Sequence, residues 1–215
     1  MKRRIVFIGP PASGKGTEAR WLSEKEGIPY VSTGEIFREA MAADTPLGRL
    51  AKQFIDKGQL VPDDAVLKVV EDWIAVNASR EGYIFDGVPR TLTQAQLLDA
   101  RLAELKKPIE LVLWLEPSVE MILCRIEGRR VCARCGANYH LTRLPPKLEG
   151  KCDRCGGSLA QRPDDTREMA LRRLEVYRAQ TQGLHDYYQR QGKLRKIDGD
   201  LGPREMFQEV WKACQ

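Results

Sequence analysis

Apolar and polar positions alternate along this chain in two distinct rhythms. Short, nearly continuous apolar runs occur at Ile5 to Ile8, Pro29 to Val31, Tyr83 to Phe85, Ile109 to Leu115 and Leu194 to Ile197. Runs of this length without polar interruption predict strands covered on both faces, the pattern of a parallel sheet. Between them lie stretches with apolar residues at helical spacing. These predict helices over Lys15 to Lys25 (closed by Gly27), through Phe37 and Arg38, over Leu47 to Lys57, Asp63 to Asn77 and Thr93 to Lys106, from Ser118 toward Gly128, onward to about Arg190, and over Pro203 to Ala213. Strand and helix in alternation predict an α/β domain with a three-layer parallel sheet and helices on both faces.

Polar residues at the helix starts sharpen these boundaries. Ser32 and Glu35 spell Ser-x-x-Glu, a capping box, and Thr91 with Gln94 spells another. Asp63 is placed to cap its helix after Pro62, and Asp164, Asp165, Thr166 and Glu168 to cap the long helix, with Asp165 and Glu168 as the pair. On the helix at Thr93 to Lys106, Ala95, Leu97, Leu98, Leu102 and Leu105 are expected in the core. Cys124, inside an apolar pattern, is expected as a packed thiol, and Cys214 at the tail has no partner in the sequence.

The first strand runs into Gly9, Pro10, Pro11, Ala12, Ser13, Gly14, Lys15, Gly16, Thr17. A strand, a glycine-framed loop with a lysine, and then a helix form a phosphate cradle. Gly9 and Gly14 let backbone amides approach an anion, the helix start offers free N–H groups and a positive dipole end, and Lys15 adds a mobile charge. The hydroxyl of Thr17 comes one position later than in the common form, because Gly16 follows the lysine. At the tip of the third apolar run, Asp86 is placed to hold Mg²⁺ or its waters, and Arg90 beyond it can fork onto a phosphate.

Composition narrows the class. With 215 residues, 42% hydrophobic and 30% charged, the chain can bury a core and carry an insertion, as soluble globular proteins do. No apolar run approaches a membrane span. The basic N-terminus leads straight into the phosphate loop and reads as a first strand, not a signal peptide, so a cytoplasmic protein is expected. The net charge of +5 is spread beside glycines, aspartates and helix starts, which suits a pocket for small polyanions better than a nucleic-acid track.

From Arg129 the pattern breaks. Cys132-x₂-Cys135 and Cys152-x₂-Cys155, each followed by a glycine, have the spacing of a four-thiolate zinc site. Four thiolates leave no open position, so such a metal is structural and stands in for a core that the segment lacks. His140 is a rival ligand that the cysteines make unnecessary, expected near a nucleotide or in packing. Arg125, Arg129 and Arg130 precede the segment, and Arg162, Arg167, Arg172 and Arg173 follow it. An insert hinged at both ends, with guanidinium groups at its base, reads as a lid over phosphates. A zinc ribbon can also read nucleic acid, but aromatics interleaved with lysines are lacking here.

These motifs together resemble the adenylate kinases, in the long form with a four-cysteine zinc lid, and the resemblance covers essentially the whole chain. Gly14-Lys15-Gly16-Thr17 matches that family's loop, the stretch Lys57 to Asp63 resembles its Gly-x-Leu-Val-Pro-Asp signature, and Asp86-Gly87-Val88-Pro89-Arg90 resembles its Asp-Gly-Phe-Pro-Arg. Two departures are Ala12, where the family usually has glycine, and Val88 in place of phenylalanine. If position 12 needs a positive φ, an alanine there is strained.

The resemblance implies reversible phosphoryl transfer from Mg-ATP to AMP, giving two ADP, by a monomer that needs neither nucleic acid nor membrane. Its ATP side is implied to comprise Gly9, Ala12, Ser13, Gly14, Lys15, Gly16 and Thr17, with Arg125, Arg129, Asn138, Tyr139 and Leu201. The AMP side is implied to comprise Thr33, Gly34, Arg38, Gln59, Leu60, Val61, Gly87, Val88, Pro89, Arg90 and Gln94, together with Arg162 and Arg173. Gln94 keeps two roles open, helix cap and base recognition. Lys15, Arg90, Arg129, Arg162 and Arg173 are the catalytic cations, and Asp86 and Thr17 attend the Mg²⁺. The implied domains are a core of residues 1–128 and 166–215, a monophosphate-binding part at 32–79, and a zinc lid at 129–165. A kinase for another monophosphate is the alternative within the same class.

Overall fold

The five apolar runs become the five parallel strands of one sheet. In the computed structural model, which describes residues 1–77 and 79–215, these are β1 (Arg4–Ile8), β2 (Tyr30–Ser32), β3 (Tyr83–Asp86), β4 (Leu111–Glu116) and β8 (Leu194–Asp198). Their spatial order is β2-β3-β1-β4-β8. Ala78, within the expected 32–79 part, lies outside the described residues.

The period of two along a strand divides the core between two faces. Ile5 and Phe7 of β1, Ile84 of β3, and Leu111, Leu113 and Leu115 of β4 point to one face. There they meet α1 (Lys15–Glu26) through Ala19 and Leu22, and α8 (Pro203–Cys214) through Met206, Val210 and Cys214. Val6, Ile8, Phe85, Val112 and Trp114 point the other way. They pack under α2 (Thr33–Ala42), α3 (Pro46–Ile55), α4 (Asp63–Val76), α5 (Leu92–Glu104) and α7 (Arg167–Arg190). Cys214, unassigned from sequence, is thus a core residue whose thiol donates to Val210 O at 3.1 Å.

After α6 (Val119–Gly128), the chain leaves the main sheet and forms a small antiparallel one from β5 (Arg129–Cys132), β6 (Asn138–His140) and β7 (Leu159–Ala160), in the order β6-β5-β7. This is the cysteine module.

Several expected caps go elsewhere, where a charge-assisted or buried partner outcompetes the helix end. Ser32 sits at the N-cap of α2 without a side-chain cap bond, and Glu35 turns to Arg20 at 2.8 Å. Pro62, not Asp63, holds the N-cap of α4, while Asp63 accepts from Thr91 Oγ1 at 2.9 Å and Gln94 Nε2 at 2.7 Å. Thr91 does cap α5 through Gln94 N at 3.1 Å. The Gln94 side chain, however, takes the amide of Arg90 at 2.7 Å in place of closing the box. The long helix is capped by Thr166, which accepts from Met169 N at 3.2 Å. Asp165 is taken by Arg129 and Glu168 by Arg172.

Three core expectations also fail. Gln94, Ala95, Leu98 and Leu102 form the buried stripe of α5, which leaves Leu97 about a quarter-turn away and half exposed, and Leu105 past the helix end. Cys124 is exposed because α6 buries Ile122, Leu123 and Ile126 on its opposite side. Among the described residues, no helix is long and apolar enough to cross a membrane.

Candidate active site

The loop between β1 and α1 folds as a cradle. Gly14 lies at φ 100° immediately before the helix, a conformation that L side chains rarely adopt. Gly9 is required by crowding, since a Cβ there would stand 2.8 Å from Leu115 O and from Ser13 Oγ. Ala12 takes φ 56°, so the alanine that departs from the resembling family sits in the left-handed region with the strain expected for it. Lys15 Nζ arches back over the loop and donates to Gly9 O at 2.7 Å, Pro10 O at 2.8 Å and Ser13 Oγ at 3.2 Å. Burial pulls its pKa down to about 8; Arg90 and Arg129 push the same way, and Asp86 opposes them. Arg125 ties the loop to the turn after β8, donating to Ser13 O at 2.8 Å and Gly199 O at 2.7 Å.

The tip of β3 organises the opposite side. Gly87, at φ 83°, presents its carbonyl to Thr33 Oγ1 at 3.0 Å and Arg90 Nε at 2.8 Å. A Cβ at Gly87 would stand 2.8 Å from the Thr33 hydroxyl and 2.9 Å from Arg90 Nη2, so this glycine brings the two polar groups together. Arg38 folds over Gly34, its Nη1 3.3 Å from where a Cβ would be. Asp86 is buried and accepts from Tyr30 Oη at 3.3 Å. Gln94 is fully buried and held through both ends of its amide, by Arg90 N and by Asp63.

The third wall comes from the cysteine module and its junction with α7. Arg129 pairs with Asp165 and Arg173 with Asp164, and Arg162 Nη2 reaches Asn138 Oδ1 at 3.4 Å. Burial, with Arg38 and Arg129 nearby, pulls the Arg162 pKa down to about 9. Arg38 and Arg90 are lowered too, again chiefly by burial. Burial is the chief cause throughout and neighbouring cations add to it, so the site holds positive charge close together, which a polyanion would relieve.

Around the four cysteines, Cys132 and Cys155 Sγ lie 3.5 Å apart, as do Cys135 and Cys152, and all four sulfurs fall within 4.8 Å of one another. A tetrahedral metal with thiolates at ~2.3 Å needs sulfurs about 3.8 Å apart, so the donor set fits one four-coordinate ion. Arg134 N and Tyr139 Oη lie 3.4 Å from Cys132 and Cys152 Sγ respectively and supply outer-shell contacts. His140 stays outside this cluster. Its Nδ1 accepts from the amides of Thr142 and Arg143 at 3.1 Å, which leaves Nε2 to donate to Cys124 O at 3.1 Å. The ring packs on Gly128, where any Cβ would fall 2.3 Å from it, and so locks the module to the end of α6.

These walls enclose one cleft of about 310 Å³. It is lined by the loop from Gly9 to Thr17 (except Pro10), by Asp86, and by Thr33, Gly34 and Arg38. Gln59, Leu60 and Val61 also line it, with Gly87, Pro89, Arg90 and Gln94, and from the third wall Arg125, Arg129, Asn138, Tyr139, Arg162 and Arg173. Two expected residues do not line it. Val88 is fully enclosed in the core beneath the turn, and Leu201 packs against the α8 side, offering its carbonyl to Arg143 Nη2 at 2.9 Å.

Sequence reasoning passed over Glu18, Tyr30, Arg143 and Thr181. Glu18, Arg143 and Thr181 line the cleft, and Thr181 Oγ1 donates to Arg90 O at 2.9 Å. Tyr30 reaches the site through Asp86. Tyr30 opens β2, and nothing local in the sequence ties it to the tip of β3; Arg143, in an irregular turn, offered no signal either.

Comparison with known proteins agrees with this geometry. A family model described as adenylate kinase matches residues 7–193. A protein of Thermodesulfovibrio yellowstonii named adenylate kinase is 47% identical over 207 residues, 96% of this chain and 96% of its own length. One of Clostridium tetani with the same name is 46% identical over 206 residues, 96% and 95% of the two chains. One of Archaeoglobus fulgidus, also so named, is 46% identical over 211 residues, 98% and 95%.

Proposed function

The chain belongs to the adenylate kinase family, and from that premise we propose how it moves a phosphoryl group from ATP to AMP to give two ADP. The observation that carries the reading is the convergence of Lys15, Arg38, Arg90, Arg129, Arg162 and Arg173, drawn from distant parts of the chain, on one cleft with the phosphate loop.

The loop amides, Lys15 and Arg125 hold ATP. Thr33, Gly34, Arg38, the segment Gln59 to Val61, the turn Gly87 to Arg90, and Gln94 hold AMP. Arg129, Arg162 and Arg173 meet the oxygens of the group in transit. Phosphoryl transfer needs positioning and charge neutralisation more than covalent help. The attacking AMP oxygen is already anionic, so no general base is required. Asp86 and Thr17 are the residues fitted to hold Mg²⁺ or its waters; the ion supplies neutralisation of the phosphate charge when bound with ATP.

Residues 129–165 act as a lid stapled by zinc on Cys132, Cys135, Cys152 and Cys155, over a core of 1–128 and 166–215, with AMP bound by the part at 32–79. Arg154 to Glu24 at 3.0 Å and Arg143 to Leu201 O support a module that leans on the core. Its closure excludes the water that would otherwise hydrolyse ATP. The protein works as a cytoplasmic monomer, with no nucleic-acid or membrane partner.

Steady-state turnover with ATP and each nucleoside monophosphate tests the assignment. AMP is expected to outpace UMP, CMP and GMP by at least an order of magnitude. Faster turnover of another monophosphate would move the acceptor assignment, and no transfer to any of them would remove the activity.

A further inference from the structure

Tyr30 stands between two parts of the site that the proposed mechanism treats separately. Its hydroxyl donates to Asp86 Oδ2 at 3.3 Å, and its ring lies under the Arg20 guanidinium, 5.3 Å from the central carbon to the ring centroid. Arg20 Nη2 in turn donates to both carboxylate oxygens of Glu35 at 2.8 Å. The chain of contacts therefore runs from the first turn of α2, on the AMP side, through α1 and β2 to the tip of β3, on the magnesium side.

Gly16 leaves the space for it. A Cβ at position 16 would stand 3.3 Å from Asp86 Oδ2 and 3.7 Å from the Tyr30 hydroxyl, so a larger residue after the lysine would press on the bond between them. The glycine that follows Lys15 is thereby explained by what lies beneath it.

An aspartate's terminal torsion is soft and roughly two-fold. A donor fixed on one oxygen sets that torsion and leaves the other oxygen for a cation. Groups that orient a ligating carboxylate contribute strongly to metal affinity without touching the metal.

We propose that Tyr30 is a positioning residue for Asp86, and that Arg20 and Glu35 hold it from the start of α2, so that the magnesium-side carboxylate and the AMP-side helix are set by one chain of contacts. The proposal rests on the reading of Asp86 as the magnesium-side carboxylate.

The test is the affinity for ATP, measured calorimetrically in Mg²⁺ and again in EDTA, with the ratio of the two as the readout. Tyr30→Phe keeps the ring and removes the donor. It is expected to lose roughly tenfold of the gain that Mg²⁺ brings, with the affinity in EDTA, the affinity for AMP and the melting temperature unchanged. Glu35→Gln, which leaves the aromatic packing intact, is expected to lower the ratio in the same direction by less. An unchanged ratio in Tyr30→Phe, with Asp86→Asn reduced, overturns the proposal while the assignment of Asp86 stands. An unchanged ratio in Asp86→Asn overturns both.

Discussion

Arg129 and Asp165 form a two-point pair at the junction between the cysteine module and the long helix. Arg129 Nε donates to Asp165 Oδ2 at 2.7 Å and Nη2 donates to Oδ1, with the aspartate side chain fully enclosed. An aspartate that reads in sequence as a helix cap is instead the counter-charge that fixes an arginine lining the cleft.

Asp165→Ala leaves the Arg129 guanidinium largely enclosed without its partner. Breaking one half of a buried pair costs roughly 3 kcal/mol. Equilibrium urea unfolding should show a loss of about that size, together with weaker ATP binding as the arginine loses its orientation. Wild-type stability in this variant would mean that the pair is no more than a contact.

Lys15→Ala should lower turnover by at least roughly a hundredfold with the circular-dichroism spectrum and melting temperature kept. The charged ammonium is the form that attracts phosphate, and burial has brought its pKa down to about 8. The value of kcat/KM for ATP reports the free enzyme and should therefore hold below pH 8 and fall above it, with that limb absent in the alanine variant.

Glu18 lies fully buried in the first turn of α1, and neither of its oxygens has a hydrogen-bond partner among the described residues. Burial raises its pKa from 4.5 to about 8, with Arg125 opposing. A raised carboxyl pKa contributes stability that is complete below pH 4.5 and lost as the pH rises through about 8, on the order of 5 kcal/mol for such a shift. Glu18→Gln cannot ionise. Its stability relative to the native protein should rise between pH 5 and 8.5, as read by urea midpoints at the two pH values; a constant difference would place the carboxyl's ionisation elsewhere.

Replacing Cys132 and Cys152 with serine should lower the melting temperature more than it lowers turnover at low temperature, because the thiolates replace a core that the module lacks. Elemental analysis should find about one zinc per native chain and little in the variant. An unchanged melting temperature with no metal in the native protein rejects the site.

Local periodicity and short-range spacing are all that the sequence by itself needed to determine the sheet, the phosphate loop and the thiolate cluster. Uninterrupted apolar runs can be satisfied only inside a sheet covered on both faces, and Ile5 to Ile8 alternate between those faces as the period of two requires. The glycines around Lys15 and the paired Cys-x₂-Cys motifs carry their chemistry within a few residues, so both were legible. The strain at Ala12 was legible too, as a condition that its φ of 56° meets.

Only the tertiary structure decided which partner each charged side chain takes. Asp63, Glu35 and Asp165 all carry helix-start signals, yet each is bound to a group that folding brings near, because a charge-assisted bond outweighs a local cap. Val88, in the turn that meets the cleft, and Leu201, just before α8, both turn their side chains into apolar packing. The link from Tyr30 to Asp86 spans fifty-six positions, a distance across which no periodic pattern reaches. Parallel pairing of β2 with β3 sets Ser32 opposite Asp86, and that register is what carries the tyrosine to the carboxylate.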